Sequence, residues 1–151
     1  MNSAPLTCCG IDIAGRRAVF VFLRRTEGRV VDVTGRRTQL KIDNPDAPAE
    51  LRRFCREAHA LFDDIRPERI AIAARRKSGR FAAGGATFKL EALFQLYGPT
   101  DVALVAPVDL RRFAKERHPD LTPRFSYQKT AYLLARYLLE TCDGADEGRE
   151  R

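Results

Sequence analysis

The sequence predicts an α/β fold: a mixed five-stranded sheet of order 3-2-1-4-5, with three antiparallel strands followed by a β-α-β-α alternation and flanked by helices. Three observations carry this. Three strand-like runs open the chain with only tight turns between them. The hydrophobic period then changes from 2 to 3.6. After that, strand-like and helix-like segments alternate. At 151 residues the chain has the length of one domain. A chain of that size buries roughly 68–70% of its unfolded surface, so it folds without a disulfide or a metal.

The elements follow in order. Residues 6–14 (LTCCGIDIA) are short and apolar, with β-branched Thr7, Ile11 and Ile13, and read as a buried strand. Gly15-Arg16-Arg17 is a turn, 18–25 (AVFVFLRR) a second strand, and Glu27-Gly28 turns the chain back. Residues 29–42 form a third extended stretch, with a candidate interruption near Thr34-Gly35. Tight connections make these three an antiparallel meander. Asn44-Pro45-Asp46-Ala47-Pro48 then supplies an N-cap candidate and early prolines. Leu51, Phe54, Cys55, Ala58, Leu61, Phe62 and Ile65 fall on one face of a helix that Arg66-Pro67 ends. Residues 69–74 (RIAIAA) are the fourth strand, and 75–85 a basic, glycine-rich loop. Residues 87–97 are helical, with Gly98-Pro99 as the stop. Residues 101–106 (DVALVA) are the fifth strand. Pro107 opens a helix to about Arg117, and 125–142 form the last one. The remainder, 143–151, reads as a polar tail outside a single domain of residues 1–142.

Right-handed crossovers set strands four and five parallel to strand one. That arrangement is the RNase H-like fold. A flavodoxin-like doubly wound sheet is the runner-up, disfavoured because no helix separates the first three strands.

Composition excludes several classes. With 44% hydrophobic residues the chain is neither disordered nor fibrous. No apolar run approaches the roughly 20 residues of a membrane helix. The start, MNSAPLTCCGIDIAG, lacks the charged and apolar regions of a signal peptide. The expectation is a soluble cytoplasmic domain with no membrane partner. Cys8, Cys9, Cys55 and Cys142 form no CxxC pair, and His59 and His118 are the only histidines. A zinc site needs four clustered ligands, so the cysteines read as buried or half-buried thiols.

The net charge is +7, from 27 basic and 20 acidic residues. Arginine dominates, with 22 Arg against 5 Lys. Guanidinium forks match phosphate bidentately, which fits nucleic-acid binding, although codon bias also enriches arginine. The window from Arg66 to Lys89 holds seven basic residues and one acid, so it alone carries +6.

One stretch of that window is diagnostic: Ser78-Gly79-Arg80-Phe81-Ala82-Ala83-Gly84-Gly85-Ala86-Thr87-Phe88-Lys89-Leu90-Glu91-Ala92. Its Gly-Arg-Phe and Gly-Gly-x-x-Phe-Lys-Leu-Glu-Ala pattern resembles a bacterial family of unknown function, domain of unknown function 3010, over about Cys9 to Leu139. More distantly the chain resembles the RuvC crossover-junction endonucleases. There too an acid follows Gly-Ile on the first strand, as in Gly10-Ile11-Asp12, and a polar loop leads into a helix with a Lys-Leu pair, here Lys89-Leu90. The resemblance implies the RNase H-like fold. The nearer family carries no established activity.

Nucleases of this fold use two divalent metals about 3.5–4 Å apart, held by hard carboxylate oxygens. At least three acids must converge: one on the first strand, one after the fourth, and one or two on the last helix. Asp12 fits the first position, in an apolar run where a charge is expensive without a partner or metal. A strand-end Asp paired with a nearby Arg is the plain alternative. The resemblance puts Ala74 at the second acidic position, beside Ala73, Arg75 and Arg76. At the third, where RuvC carries paired aspartates, stand Phe125-Ser126-Tyr127-Gln128-Lys129. Glu91, Asp109, Asp120 and Glu140 would substitute only if the chain brought them together. Glu91 and Asp109 also read as ordinary helix-surface and helix-start carboxylates. If Ser126, Tyr127, Gln128 and Lys129 cluster near Asp12, the lysine replaces the charge of a metal.

The basic loop is the other candidate. Arg75, Arg76, Lys77, Gly79 and Arg80 follow the carboxyl end of a strand, where open α/β sheets place ligands. Phe81 is placed to stack a base, and Lys89 and Lys129 extend the basic surface. The leading reading is therefore an RNase H-like protein that binds nucleic acid and has an incomplete two-metal site. No cofactor is expected under it. The alternatives are a scaffold or homodimer module, suggested by the several apolar stripes of the last helix, and a nuclease with rearranged acids needing Mg²⁺ or Mn²⁺.

Overall fold

A computed structural model describes residues 4–74, 85–117 and 122–149. It opens with β1 (Leu6–Ala14), β2 (Arg17–Thr26), β3 (Arg29–Asp32) and β4 (Gln39–Lys41). Then come α1 (Pro48–Ile65), β5 (Arg69–Ala73), α2 (Gly85–Gln95), β6 (Val102–Val105) and α3 (Pro107–Arg117). A 3-10 turn, Ser126–Gln128, leads into α4 (Lys129–Arg149), whose helical backbone continues past Cys142. Among the described residues no helix is long and apolar enough to cross a membrane.

The sheet runs β3-β2-β1-β5-β6, with β4 also paired to β2. β1 and β2 are antiparallel, as are β2 with β3 and β2 with β4. β5 is parallel to both β1 and β6. The expected topology holds with one correction: the third extended stretch is two strands, which makes the sheet six-stranded. The break has a hydrogen-bond logic. At its start the Thr34 hydroxyl accepts the Phe22 N–H at 2.8 Å, and the Thr34 N–H donates to Asp32 Oδ1 at 2.8 Å. Pairing resumes where the Phe20 N–H donates to the Thr38 carbonyl at 2.8 Å. In the gap the fully buried Gln128 donates from Nε2 to the Phe20 carbonyl at 3.3 Å. A buried carbonyl left unpaired would be destabilising, so a side chain from far along the chain completes the ladder.

Strand alternation divides the core in two. Cys9, Ile11, Ile13, Phe20, Phe22, Ile70 and Ile72 face α1 and α2, against Phe54, Phe62, Leu90 and Phe94. Cys8, Val19, Val21, Ala71 and Ala73 face α3 and α4, against Leu110, Ala131, Leu134, Ala135 and Leu138. α1 begins with Pro48 and ends at Arg66 in the left-handed region (φ 56°), as its turn signals predict. Its buried stripe narrows to Phe54, Ala58 and Phe62.

α4 presses on β1 at Gly10. A Cβ built there would lie 2.0 Å from the Ala131 carbonyl oxygen, 2.8 Å from Ala135 N and 2.9 Å from Leu134 Cβ. Only glycine permits that approach. Arg25 fixes the other end of the crossing, donating from Nη1 to the Leu139 carbonyl at 2.9 Å.

Candidate functional site

Asp12 is half-buried and pairs across the ladder with Val19. It alternates with Ile11 and Ile13, so it belongs to the α4 face, two residues beyond Gly10. The β1–β5 register runs to Ile11 opposite Ile72, and the next step sets Asp12 opposite Ala73. Ala73 in turn pairs with Val105, and the Ala74 N–H donates to the Val105 carbonyl at 2.9 Å. The carboxyl ends of β1, β5 and β6 thus lie in line. The register also reassigns a position. Ala73, which packs in the α4-side core, shares Asp12's face, whereas Ala74 alternates to the other.

Among the described residues the other acids form no metal-holding group with Asp12. Glu91 is buried on α2, in the layer on the opposite side of the sheet, rather than on a helix surface. Its neighbours Leu90 and Phe94 explain this, since both lie in the α1-side core. Glu140 follows Leu139, at the end of β1 far from Asp12, where Arg25 pairs with Leu6. Asp109 is half-buried in the first turn of α3, where a carboxylate favours the helix dipole. Asp120 lies outside the described residues. Among the described residues no group of three or more His, Cys, Asp or Glu is arranged to hold a metal ion. Val19, its cross-strand partner on β2, and Ala73, one step beyond the last registered β1–β5 pair, have no ligand atom in their side chains.

Arg75, Arg76, Lys77, Gly79, Arg80 and Phe81 lie outside the described residues, as do His118 and Ser78. Lys89 is engaged elsewhere. Its ammonium donates to Asp46 Oδ1 at 2.6 Å and to the Pro45 carbonyl at 3.0 Å, tying α2 to the loop before α1. Hydrogen bonding and charge from Lys89 hold the Asp46 carboxyl below its ordinary range. Lys129, the first residue of α4, is exposed.

Residues 125–128 dock on β2, where Gln128 reaches Phe20, the residue next to Asp12's cross-strand partner Val19. The Tyr127 and Thr38 hydroxyls are 2.8 Å apart, and Gln128 reaches Phe20. Both contacts lie on the outer flank of β2, one strand removed from β1. The physical reason is the gap between β3 and β4, which needs the Gln128 amide. The docking creates a surface that sequence reasoning missed. The Phe125 and Tyr127 rings stack almost parallel, 5° apart with centroids at 5.6 Å. The Arg124 guanidinium carbon lies 5.1 Å from the Phe125 centroid. Both rings stay 42% exposed. The signal was the interleaving in Arg124-Phe125-Ser126-Tyr127, which looked like the first turn of a buried helix.

Residues 131–139 of α4 pack mostly inward. Tyr132, Leu134, Leu138 and Leu139 are buried, and Leu133 and Tyr137 are half-buried. Cys8 and Cys9 are buried and Cys55 is half-buried, all as free thiols. Burial, with Cys8 alongside, pushes the Cys9 thiol well up.

A family model described as "Protein of unknown function (DUF3010)" matches residues 6–138. No curated protein matches in sequence. In three dimensions the chain is similar to RuvC of Thermus thermophilus, at TM-score 0.70 and 14% identity, over 91% of this chain and 97% of that one. It is likewise similar to T. thermophilus RuvC in complex with Holliday junction substrate, at TM-score 0.64 and 16% identity, over 90% and 96%. Likeness at this identity establishes the fold, which is RNase H-like.

Proposed function

Because the chain belongs to the DUF3010 family, proteins of unknown function, we propose from the site itself that it binds nucleic acid on an RNase H-like scaffold that has no working two-metal centre. The observation that supports this is that, among the described residues, no group of three or more His, Cys, Asp or Glu is arranged to hold a metal ion, at Asp12 or elsewhere, where two-metal nucleases need converging acids. Phosphate binding is supported by the +6 window between Arg66 and Lys89. It is further supported by the Holliday junction that the similar RuvC carries. Arg75, Arg76, Lys77 and Arg80 supply the cations, Gly79 lets backbone approach phosphate, and Phe81 offers a stacking face. Lys129 adds charge at the start of α4, while Lys89 acts through its bond to Asp46.

The test is fluorescence anisotropy with DNA and RNA over a salt series. Binding should weaken steeply with salt. Reversing Arg75, Arg76 and Arg80 to Glu should abolish it, and the melting temperature of the triple variant separates lost binding from lost folding. Equal binding by the triple variant would remove the loop from the site. Mg²⁺-dependent cleavage by the parent, lost in Asp12→Asn, would establish the nuclease alternative instead.

A further inference from the structure

The stacked pair at the start of α4 is unexplained by packing. Aromatic rings of this size normally bury most of their surface. Phe125 and Tyr127 keep 42% of theirs exposed while lying parallel to one another. The pair is held in place from beneath. The Tyr127 hydroxyl is fixed on Thr38 at 2.8 Å, and the Phe125 N–H donates to Gln128 Oε1 at 3.1 Å. Gln128 is itself buried and bonded to Phe20. The shelf is therefore rigid, and its ring faces are set before any ligand arrives.

Its rim is cationic. Arg124 stacks on Phe125. Arg36 and Arg37 precede Thr38, and Lys129 follows Gln128, all exposed. Arg37 is paired with Glu57 at 3.1 Å. No acid stands between residues 122 and 139 or between 33 and 42, so the segments that build the rim carry no acid of their own, and Glu57 reaches Arg37 from α1.

We propose that Arg124, Phe125 and Tyr127 form a stacking shelf for an unpaired base of single-stranded nucleic acid, with Arg36 and Lys129 meeting the flanking phosphates. A parallel ring pair offers a face of the right shape for a planar base, and a guanidinium stacks on bases as it does on rings. Bases inside a duplex are covered by their neighbours, so only an unstacked one can use the shelf. This inference rests on the nucleic-acid reading above.

The experiment compares three labelled probes by anisotropy: a single strand, an abasic strand of the same length, and a duplex. The abasic strand keeps the phosphates and loses the bases. The parent should bind the base-bearing strand about tenfold more tightly than the abasic one. Phe125→Leu and Tyr127→Leu should each remove that preference while leaving affinity for the abasic strand and its salt slope unchanged. Tyr127→Phe, which keeps the ring, should retain it. A 2-aminopurine in the strand should be quenched by the parent and not by Phe125→Leu. Equal parental affinity for both strands, or a preference that survives both Leu variants, overturns the shelf and leaves the polyanion reading intact. Failure of the parent to bind any probe at low salt overturns the polyanion reading, and the shelf with it.

Discussion

The two faces of the sheet are built on opposite principles. Under α1 and α2 the space is filled by rings. Phe94 meets Phe20 and Phe54 edge-on, each at 5.6 Å, and Phe62 meets Tyr97 at 4.9 Å. Under α4 the space is nearly absent. Gly10, Ala71, Ala73, Ala131 and Ala135 let helix backbone approach strand backbone, to the point where a Cβ on Gly10 has nowhere to go. The ring-filled face lies beneath the helix pair and acts as a foundation. The thin face carries Asp12 and positions the start of α4. The difference teaches which kind of change each face resists: one fails when side chains shrink, the other when they grow.

That contrast gives the largest expected effects. Phe62→Ala should destabilise by about 3–5 kcal/mol, through lost transfer energy and a cavity. Gly10→Ala adds a single methyl group and should still cost about 1–3 kcal/mol, because α4 must move off β1. Chemical denaturation of both variants checks this. The comparison breaks if Gly10→Ala is as stable as the parent, for then the thin face is not tight. A cleavage or binding defect in Gly10→Ala without loss of stability would show that α4 placement is felt at the site.

Much of this was legible. Periods of 2 and 3.6 are local signals, and Gly15, Gly28, Pro48 and Gly98 mark turns by backbone chemistry, so the element order could be read directly. The Gly-Ile-Asp run located Asp12. Three things were not legible. The break in the third strand depends on Gln128, an acceptor and donor about ninety residues away. The shelf depends on that same reach. The face shared with Asp12 depends on register, which no local pattern fixes between strands joined by a helix. A one-residue difference moves the relevant neighbour from Ala74 to Ala73.

The ring-filled face also has a pH signature. Tyr97 donates its hydroxyl proton to Asp63 Oδ1 at 2.7 Å. Burial, with this bond to a carboxylate, pushes its phenol up to about 12. A raised acid favours its protonated form in the folded state. Its contribution is therefore complete below the unfolded phenol's pKa near 10, and is lost as pH rises through about 12. The melting temperature should fall over that window, and the fall should be shallower in Tyr97→Phe. Identical alkaline limbs in the two proteins would mean that Tyr97 ionises freely.

The smallest expected effect is at Asp12, and its smallness is the point. A metal held only by the folded state raises stability by mass action. Two metals require several carboxylate oxygens, and Asp12 has across from it the apolar side chain of Val19, with Ala73 one step beyond the last β1–β5 pair. The parent should therefore show no shift in melting temperature with millimolar Mg²⁺ or Mn²⁺, and Asp12→Asn should respond identically. The informative variant is Ala73→Glu. Ala73 is buried, so a carboxylate there should lower stability in the absence of metal, as an uncompensated buried charge does. If Asp12 and position 73 share a face, the two carboxylates should then bind a divalent ion together, and the metal should restore part of the loss. Ala74→Glu, pointing to the other side, should gain no such response. Rescue at position 74 and none at 73 would show that the strand ends turn out of register, and that the site faces away from α4. A metal-dependent shift in the unaltered protein, lost in Asp12→Asn, would show that acids elsewhere in the chain complete the centre.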